Sequence, residues 1–445
     1  MAGTYLLRTP SSTTNRKTCT LSVWIKRGAV GARQAIASQT VDGSNETFIW
    51  FDTNDELFLK ESGEATYEFR TNRKFRDTSA WYHIVMAIDT TQSSGGNRVK
   101  LYVNGIQETS VASATDPALN VNTRWNSTTP FNIGRMSYNS EYFNGSMSHF
   151  HWIDGTAYDA SAFGSTDSTT GEWKINTSPS VTYGTNGFFI LKDSGSKTDQ
   201  SGNGNNFSEE GTPGIVSNTQ DSPSNVFATL NALAKPGAGN LPSFSNGNTH
   251  YNKTATGSGN NSMVVATLGA TTGKFYYEYK MNDSNAFIAG ISTLDNTYYD
   301  ANGGSMNTAS GVGVAYQSSG NKIINGTSTT YGNSYGSGNI VGVAFDLVNN
   351  VIYFSKDGVW QNSGDPTSGS SGTGGIGIAT TGITYSPFAQ NNGYNSPSSV
   401  YYNFGNGYFG TTAVSSAGTN ASGIGIFEYD VPTGYTALST KGLNL

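Results

Sequence analysis

Two sets of turn signals between alternating apolar runs constrain this chain more than any other feature. Val99, Leu101 and Val103 alternate with Lys100 and Tyr102, then Asn104-Gly105 follows and Ile106 resumes. Val341, Val343 and Phe345 alternate in the same way. Asn349-Asn350 then turns the chain into Val351, Tyr353 and Ser355, and Asp357-Gly358 turns it again into Val359-Trp360. An apolar period of two puts alternate side chains on one face of a strand, and Asn-Gly or Asp-Gly tolerates the positive φ of a tight hairpin. The same period runs through Leu21-Val23-Ile25, 81–88, Phe131-Ile133, 188–191, Phe275-Tyr277-Tyr279 and 401–404. No segment sustains a 3.6-residue apolar period, so long helices are not expected; short helical turns are, near 159–163 and 226–233. Many short strands with Gly- and Asn-rich turns predict an all-β chain of antiparallel β-sandwiches or jelly rolls.

Composition agrees and narrows the function classes. Asp, Glu, Lys and Arg supply 13% of the residues, against about 25% in an average soluble protein. Glycine supplies 55 of 445, and aromatics 12%. That balance describes short strands joined by polar loops, and the spaced Tyr, Phe, Val and Ile argue against disorder. The net charge of −6, with no basic run, gives no footing for nucleic-acid binding. No stretch approaches the ~18 apolar residues of a membrane span, and the first residues hold no apolar segment of signal-peptide length. Cys19 is the sole cysteine, so no intrachain disulfide forms and a cysteine-built zinc site is excluded. Synthesis in a reducing cytosol is the expectation.

Pro213, Pro223, Pro236 and Pro242, with Lys235-Pro236-Gly237-Ala238-Gly239 among them, mark a break that cannot extend a ladder. The expected layout is a first sandwich over 1–220, a linker over 221–258, a second sandwich over 259–410 and an extension over 411–445.

In the first half, Thr20-Leu21-Ser22-Val23-Trp24-Ile25-Lys26, Trp81-Tyr82-His83-Ile84-Val85, Leu101-Tyr102-Val103-Asn104-Gly105, Phe131-Asn132-Ile133-Gly134 and Phe143-Asn144-Gly145-Ser146-Met147 follow one another in order. Together they resemble the laminin-G-like, concanavalin-type jelly-roll family over about residues 18–210. In the second half, Gly273-Lys274-Phe275-Tyr276-Tyr277-Glu278, Val341-Gly342-Val343-Ala344-Phe345-Asp346, Ile352-Tyr353-Phe354-Ser355-Lys356-Asp357-Gly358 and Tyr402-Asn403-Phe404-Gly405 resemble a SPRY domain over about 260–405. The opening LLRTPSSTTNRKTCTLSVWIKR, the segment DQSGNGNNF and the closing FEYDVPTGYTALSTKGLNL are similar to structural proteins of marine phages, cyanophages in particular. That resemblance implies a virion surface protein such as a tail-associated appendage, fibre or knob. It would sit on the virion exterior in several copies or as a homo-oligomer, reached by lysis from the host cytoplasm. Its partners would be other virion proteins and a host cell-surface glycan or protein. A head decoration or tail-assembly protein, contacting virion proteins alone, is the alternative, and a glycan hydrolase the third reading.

Hydrolysis by a retaining glycosidase needs two carboxyls about 5–5.5 Å apart. Asp52, Asp55, Glu56 and Glu61 come nearest, but they read as solvated turn carboxylates with no same-face pair. No Gly-x-Ser-x-Gly is present, and His83, His149, His151 and His250 lack metal-ligand spacing, so a non-enzyme without a cofactor is expected. The loop around Asp193, Asp199, Asn203 and Asn205 reads two ways: as hard oxygen ligands for calcium, or as Asx-turns bonding their own backbone. Tyr298, Tyr299, Tyr331, Tyr335 and Tyr394 fall in expected loops, where flat rings with polar tips suit a sugar or protein ligand.

Overall fold

Alternation becomes strand wherever the sequence shows it. The computed structural model describes every residue except 1–2, 140, 193–195, 212–218, 235–241, 255–262, 284–285, 294–312, 325, 379–381 and 392–396. Among the described residues the regular elements are strands and three-residue 3-10 turns. The chain divides into two compact units, Met1–Asn218 and Thr219–Leu445.

In the first unit an eight-stranded antiparallel sheet runs in space as Val111–Thr115, Tyr67–Lys74, Glu56–Glu61, Thr47–Phe51, Gln34–Ser38, Phe131–Ile133, Tyr5–Arg8 and Ser208–Glu210. A six-stranded sheet runs as Phe188–Ile190, Gly145–Asp154, Thr18–Arg27, Trp81–Asp89, Val99–Val103 and Ile106–Gln107. The core lies between them: Leu21, Val23, Ile25, Ile84, Met86 and Ile88 meet Ile49, Phe51, Leu57 and Leu59. Trp125 and Trp152 are buried within it, and their indole N–H groups donate to the Tyr67 hydroxyl at 2.8 Å and Asn126 Oδ1 at 2.7 Å. A buried indole N–H left unmade would cost about 1–3 kcal/mol. The hairpin at Asn104 (φ 49°) and Gly105 (φ 81°) has the left-handed pair that its sequence calls for. A Cβ at Gly105 would also strike the Trp173 ring, so glycine is required there twice over. Residues around 158–183 cover the outer face of the six-stranded sheet, with Phe163, Tyr158, Trp173 and Tyr183 packed on Val85 and Ile153. Asp159 caps the 3-10 turn Ala160–Ala162, where a helical turn was expected.

In the second unit the sheet order is Ser243–Ser245, His250–Lys253, Ser398–Asn403, Lys274–Met281, Ile340–Asp346, Val351–Lys356 and Val359–Trp360, with Ile376–Gly377 and Thr436–Ala437 paired at its side. The facing sheet runs as Met263–Val265, Tyr385–Asn391, Phe287–Thr293, Gly313–Gln317, Asn321–Ile324 and Thr327–Thr330. Tyr277, Tyr279, Val341, Val343 and Phe345 pack against Phe287, Ala289 and Ile291 between them.

Two sequence expectations fail here. The stretch read as a linker contributes strands: His250–Lys253 pairs with Ser398–Asn403, and Tyr251 is wholly buried. Nor do residues 226–233 form a helical turn. Their backbone groups pair with the chain's end, Ala228 N donating to Leu438 O and Thr440 N to Val226 O, which takes them from any helix. The C-terminal residues likewise fold onto the sheet's outer face, where Phe427, Val431, Tyr435 and Ala437 cover Tyr276, Ala344 and Tyr353.

Candidate functional site

The outer face of the eight-stranded sheet carries the densest chemistry in the first unit. Period two points Ile49 and Phe51 inward, and so turns Phe48 and Trp50 outward; Leu57 and Leu59 inward turn Glu56 and Phe58 outward. The rings of Phe48 and Trp50 stack at 3.9 Å, and Phe58 meets Phe48 edge-on at 5.5 Å. Arg70 lies 3.9 Å over Phe58 and Arg33 lies 5.1 Å over Trp50, so guanidinium groups form the layer above the rings. Trp50 is 5% exposed, and its indole nitrogen has no hydrogen-bond partner among the described residues.

Carboxylates lie beneath that layer. Arg70 Nη1 donates to Asp52 Oδ2 at 2.5 Å and to Glu56 Oε2 at 3.3 Å, Arg33 Nε donates to Asp52 Oδ1 at 3.3 Å, and Lys74 pairs with Glu56. At the strand ends Asp55 accepts from Gly31 N at 2.7 Å, Arg27 Nη1 at 2.9 Å and Arg76 Nε at 3.1 Å. Burial pushes the Asp52 and Asp55 carboxyls up, but hydrogen bonds from Arg70, Thr53 N and Arg33 in one case, and from Gly31 N, Arg76 and Arg27 in the other, hold both below the usual carboxylate value. The Lys74 hydrogen bond does most to lower Glu56. Glu141, beside Arg33 at 3.7 Å, goes the other way because burial outweighs that cation.

This corrects the expectation of solvated, separately facing carboxylates. Asp52, Asp55, Glu56 and Glu61 are all buried, and Asp52 and Glu56 converge on one arginine nitrogen. The cause is local. Asp55 takes a left-handed φ of 64° and its N–H bonds Asp52 O, a tight turn that brings residues 52 and 56 face to face across a hairpin. Glu61 points into the core instead, accepting from Arg124 N at 2.7 Å, and burial raises its pKa to about 7. The signal for this face was present in the flanking alternations Thr47–Phe51 and Glu56–Glu61, which the sequence reading did not weigh.

Tyr331 and Tyr335 pack in the second unit's core around Tyr316, and the Tyr335 hydroxyl donates to Tyr316 O at 2.9 Å. Tyr298, Tyr299 and Tyr394 lie outside the described residues, as does Asp193. Around Asp199 the oxygens are engaged: Asp199 accepts from Phe189 N, Ser201 N, Ser201 Oγ and Asn205 N. Asn203 and Asn205 donate to carbonyls of 184, 185 and 187. Among the described residues no group of three or more His, Cys, Asp or Glu is arranged to hold a metal.

Residues 2–161 match the family model of the concanavalin A-like lectin/glucanases superfamily, and residues 274–375 match that of the SPRY domain. No curated protein matches the chain. Among solved structures it is similar to the SPRY domain of human HERC1 (17% identity, TM-score 0.31, covering 39% of this chain and 96% of that one). The TRIM65 PSpry domain is another (14% identity, TM-score 0.29, covering 40% and 91%). A third is a Bacteroides ovatus ATCC 8483 protein named only provisionally as carbohydrate binding (16% identity, TM-score 0.30, covering 47% and 56%).

Proposed function

We propose that this chain, a laminin-G-like, concanavalin-type domain followed by a SPRY domain, is a non-enzymatic binding protein on the outside of a phage particle, presenting its sandwich surfaces to a host glycan or protein. The observation that carries the binding part is the outer face of the eight-stranded sheet, where Arg33 and Arg70 stand on aromatic rings above ionised carboxylates. Such guanidinium groups are oriented in advance, so less freedom is lost when they bond a hydroxyl or an anionic group of a ligand. The virion part rests on the resemblance of the chain's opening, middle and closing segments to marine phage structural proteins. Virion partners, multiple copies and release by lysis follow from that part.

Hydrolysis, the third reading, arises because Asp52 and Glu56 do approach one another. A glycosidase pair needs one protonated carboxyl near neutrality, and cations hold both of these below the usual range. Glu141, beside Arg33, is a carboxyl with a raised value. We expect no reducing-sugar release from β-glucans or envelope polysaccharide; release that Asp52→Asn or Glu141→Gln abolishes would establish the hydrolase. Antibody labelling of intact particles, with disrupted particles as control, tests the placement. Labelling before disruption is expected, and labelling only after it would place the chain inside.

A further inference from the structure

We infer that Lys253 and Asn391 join covalently, forming an isopeptide bond that ties the two sheets of the second unit together. Lys253 ends the strand His250–Lys253 of one sheet, and Asn391 ends the strand Tyr385–Asn391 of the other. Lys253 lies two residues beyond Tyr251 and so shares its inward face, and the lysine is 4% exposed. Asn391 is 0% exposed, and Lys253 Nζ stands 3.1 Å from its Oδ1. The amine is therefore held against the carbonyl group it would attack by a hydrogen bond to that group's oxygen.

The surroundings suit that reaction. Burial lowers the Lys253 pKa, which favours the neutral amine, the nucleophilic form. The Asn391 side-chain amide donates to Ser398 Oγ, which fixes its rotamer with Oδ1 toward the lysine. Ser398 is the register partner of Lys253 on the neighbouring strand, so lysine, amide and hydroxyl are positioned by one ladder. The Tyr251 hydroxyl accepts the Asn391 backbone N–H at 3.2 Å and holds the strand end.

In the step itself, the Nζ lone pair adds to Asn391 Cγ. The new C–N bond forms, the Cγ–Nδ2 bond breaks, and one Nζ proton moves to the departing nitrogen, which leaves as ammonia. A lysine that starts as ammonium sends its extra proton out with the leaving group, as ammonium ion. No oxidant, reductant or cofactor enters. The product replaces a buried amine, costly to keep charged, with a neutral amide. It also closes a loop between residues 138 apart in sequence, which removes freedom from the unfolded chain.

The test is the intact mass of the purified full-length protein, followed by proteolytic mapping. The expected mass is lower than the sequence requires by one ammonia, with a branched peptide joining the Lys253 and Asn391 segments. Lys253→Arg and Asn391→Ala should each restore the full mass and the two linear peptides. A wild-type protein of full mass with only linear peptides would overturn the inference. So would ammonia loss without the branched peptide, which would place the loss at an asparagine turn. The wild-type mass and peptides decide between these outcomes, even where a variant fails to fold.

Discussion

Arg27 shows how one side chain commits the strand-end cluster of the first unit. It is wholly buried, lies 4.4 Å over Phe51, and shares Asp55 with Arg76. Its Nε and Nη2 have no hydrogen-bond partner among the described residues, so the ion pair and the Nη1 bond to Phe75 O at 2.6 Å are what offset its burial. Replacing Arg27 by Met should therefore destabilise the first unit by about 3 kcal/mol, toward the low end for a broken buried pair, since Gly31 N and Arg76 remain on Asp55. Denaturant unfolding of fragment 1–218 measures this; a change within error would mean that packing alone holds the turn. Glu61 supplies the opposite lesson. Its folded pKa of about 7 exceeds the ordinary 4.5, so between those values the native state keeps a proton that the unfolded state has released. The stability it contributes is present below about pH 4.5 and lost as pH rises to about 7. Buried His83, lowered to about 3, loses stability in the acid direction, so the wild-type profile alone mixes the two. Glu61→Gln removes one component. Relative to that variant, wild type should lose on the order of 3 kcal/mol from pH 4.5 to 7. Parallel profiles would rule out a titrating Glu61.

At the scale of elements, the turns were legible because their chemistry is local. Asn350 (φ 56°), Asp357 (φ 49°) and Gly358 (φ 80°) sit where Asn-Asn and Asp-Gly placed them. What was hidden is what depends on distant pairing. Residues 226–230 form no helical turn because residues 438–440 supply their hydrogen bonds from the far end of the chain, and no window of sequence contains both. Glu278, 0% exposed, bonds the backbone N–H groups of Glu428 and Tyr429 at 2.9 Å each, and so pins the closing segment to the sheet. Prolines and glycines between 213 and 242 suggested a linker, yet Tyr251 and Phe227 sit in the second unit's cores. The outer face of the first unit was legible in its alternation, while its charge pairing came from the tight turn at Asp55. A fragment spanning 219–445 should then unfold cooperatively, while 259–410, which lacks Phe227, Tyr251, Phe427 and Tyr435, should not. Equal cooperativity of the two in thermal unfolding would return residues 219–258 and 411–445 to the status of linker and tail.

For the whole molecule, the distribution of arginine separates the two units. The arginines from Arg8 to Arg135 are all in the first unit, and the second has none. Planar guanidinium donors are therefore confined to the concanavalin-type unit. Arg33 and Arg70 keep side-chain exposures of 48% and 24%, while their shared partner Asp52 keeps 10%. A ligand approaching that face meets the cations first. The most direct measurement is equilibrium binding of the full-length protein to host cells, with a host-envelope extract as competitor and Arg33→Gln/Arg70→Gln alongside wild type. The account predicts saturable binding that the extract displaces and that the double variant weakens at least several-fold. Absence of saturable binding by a folded wild-type protein would contradict it and leave a structural role among virion proteins.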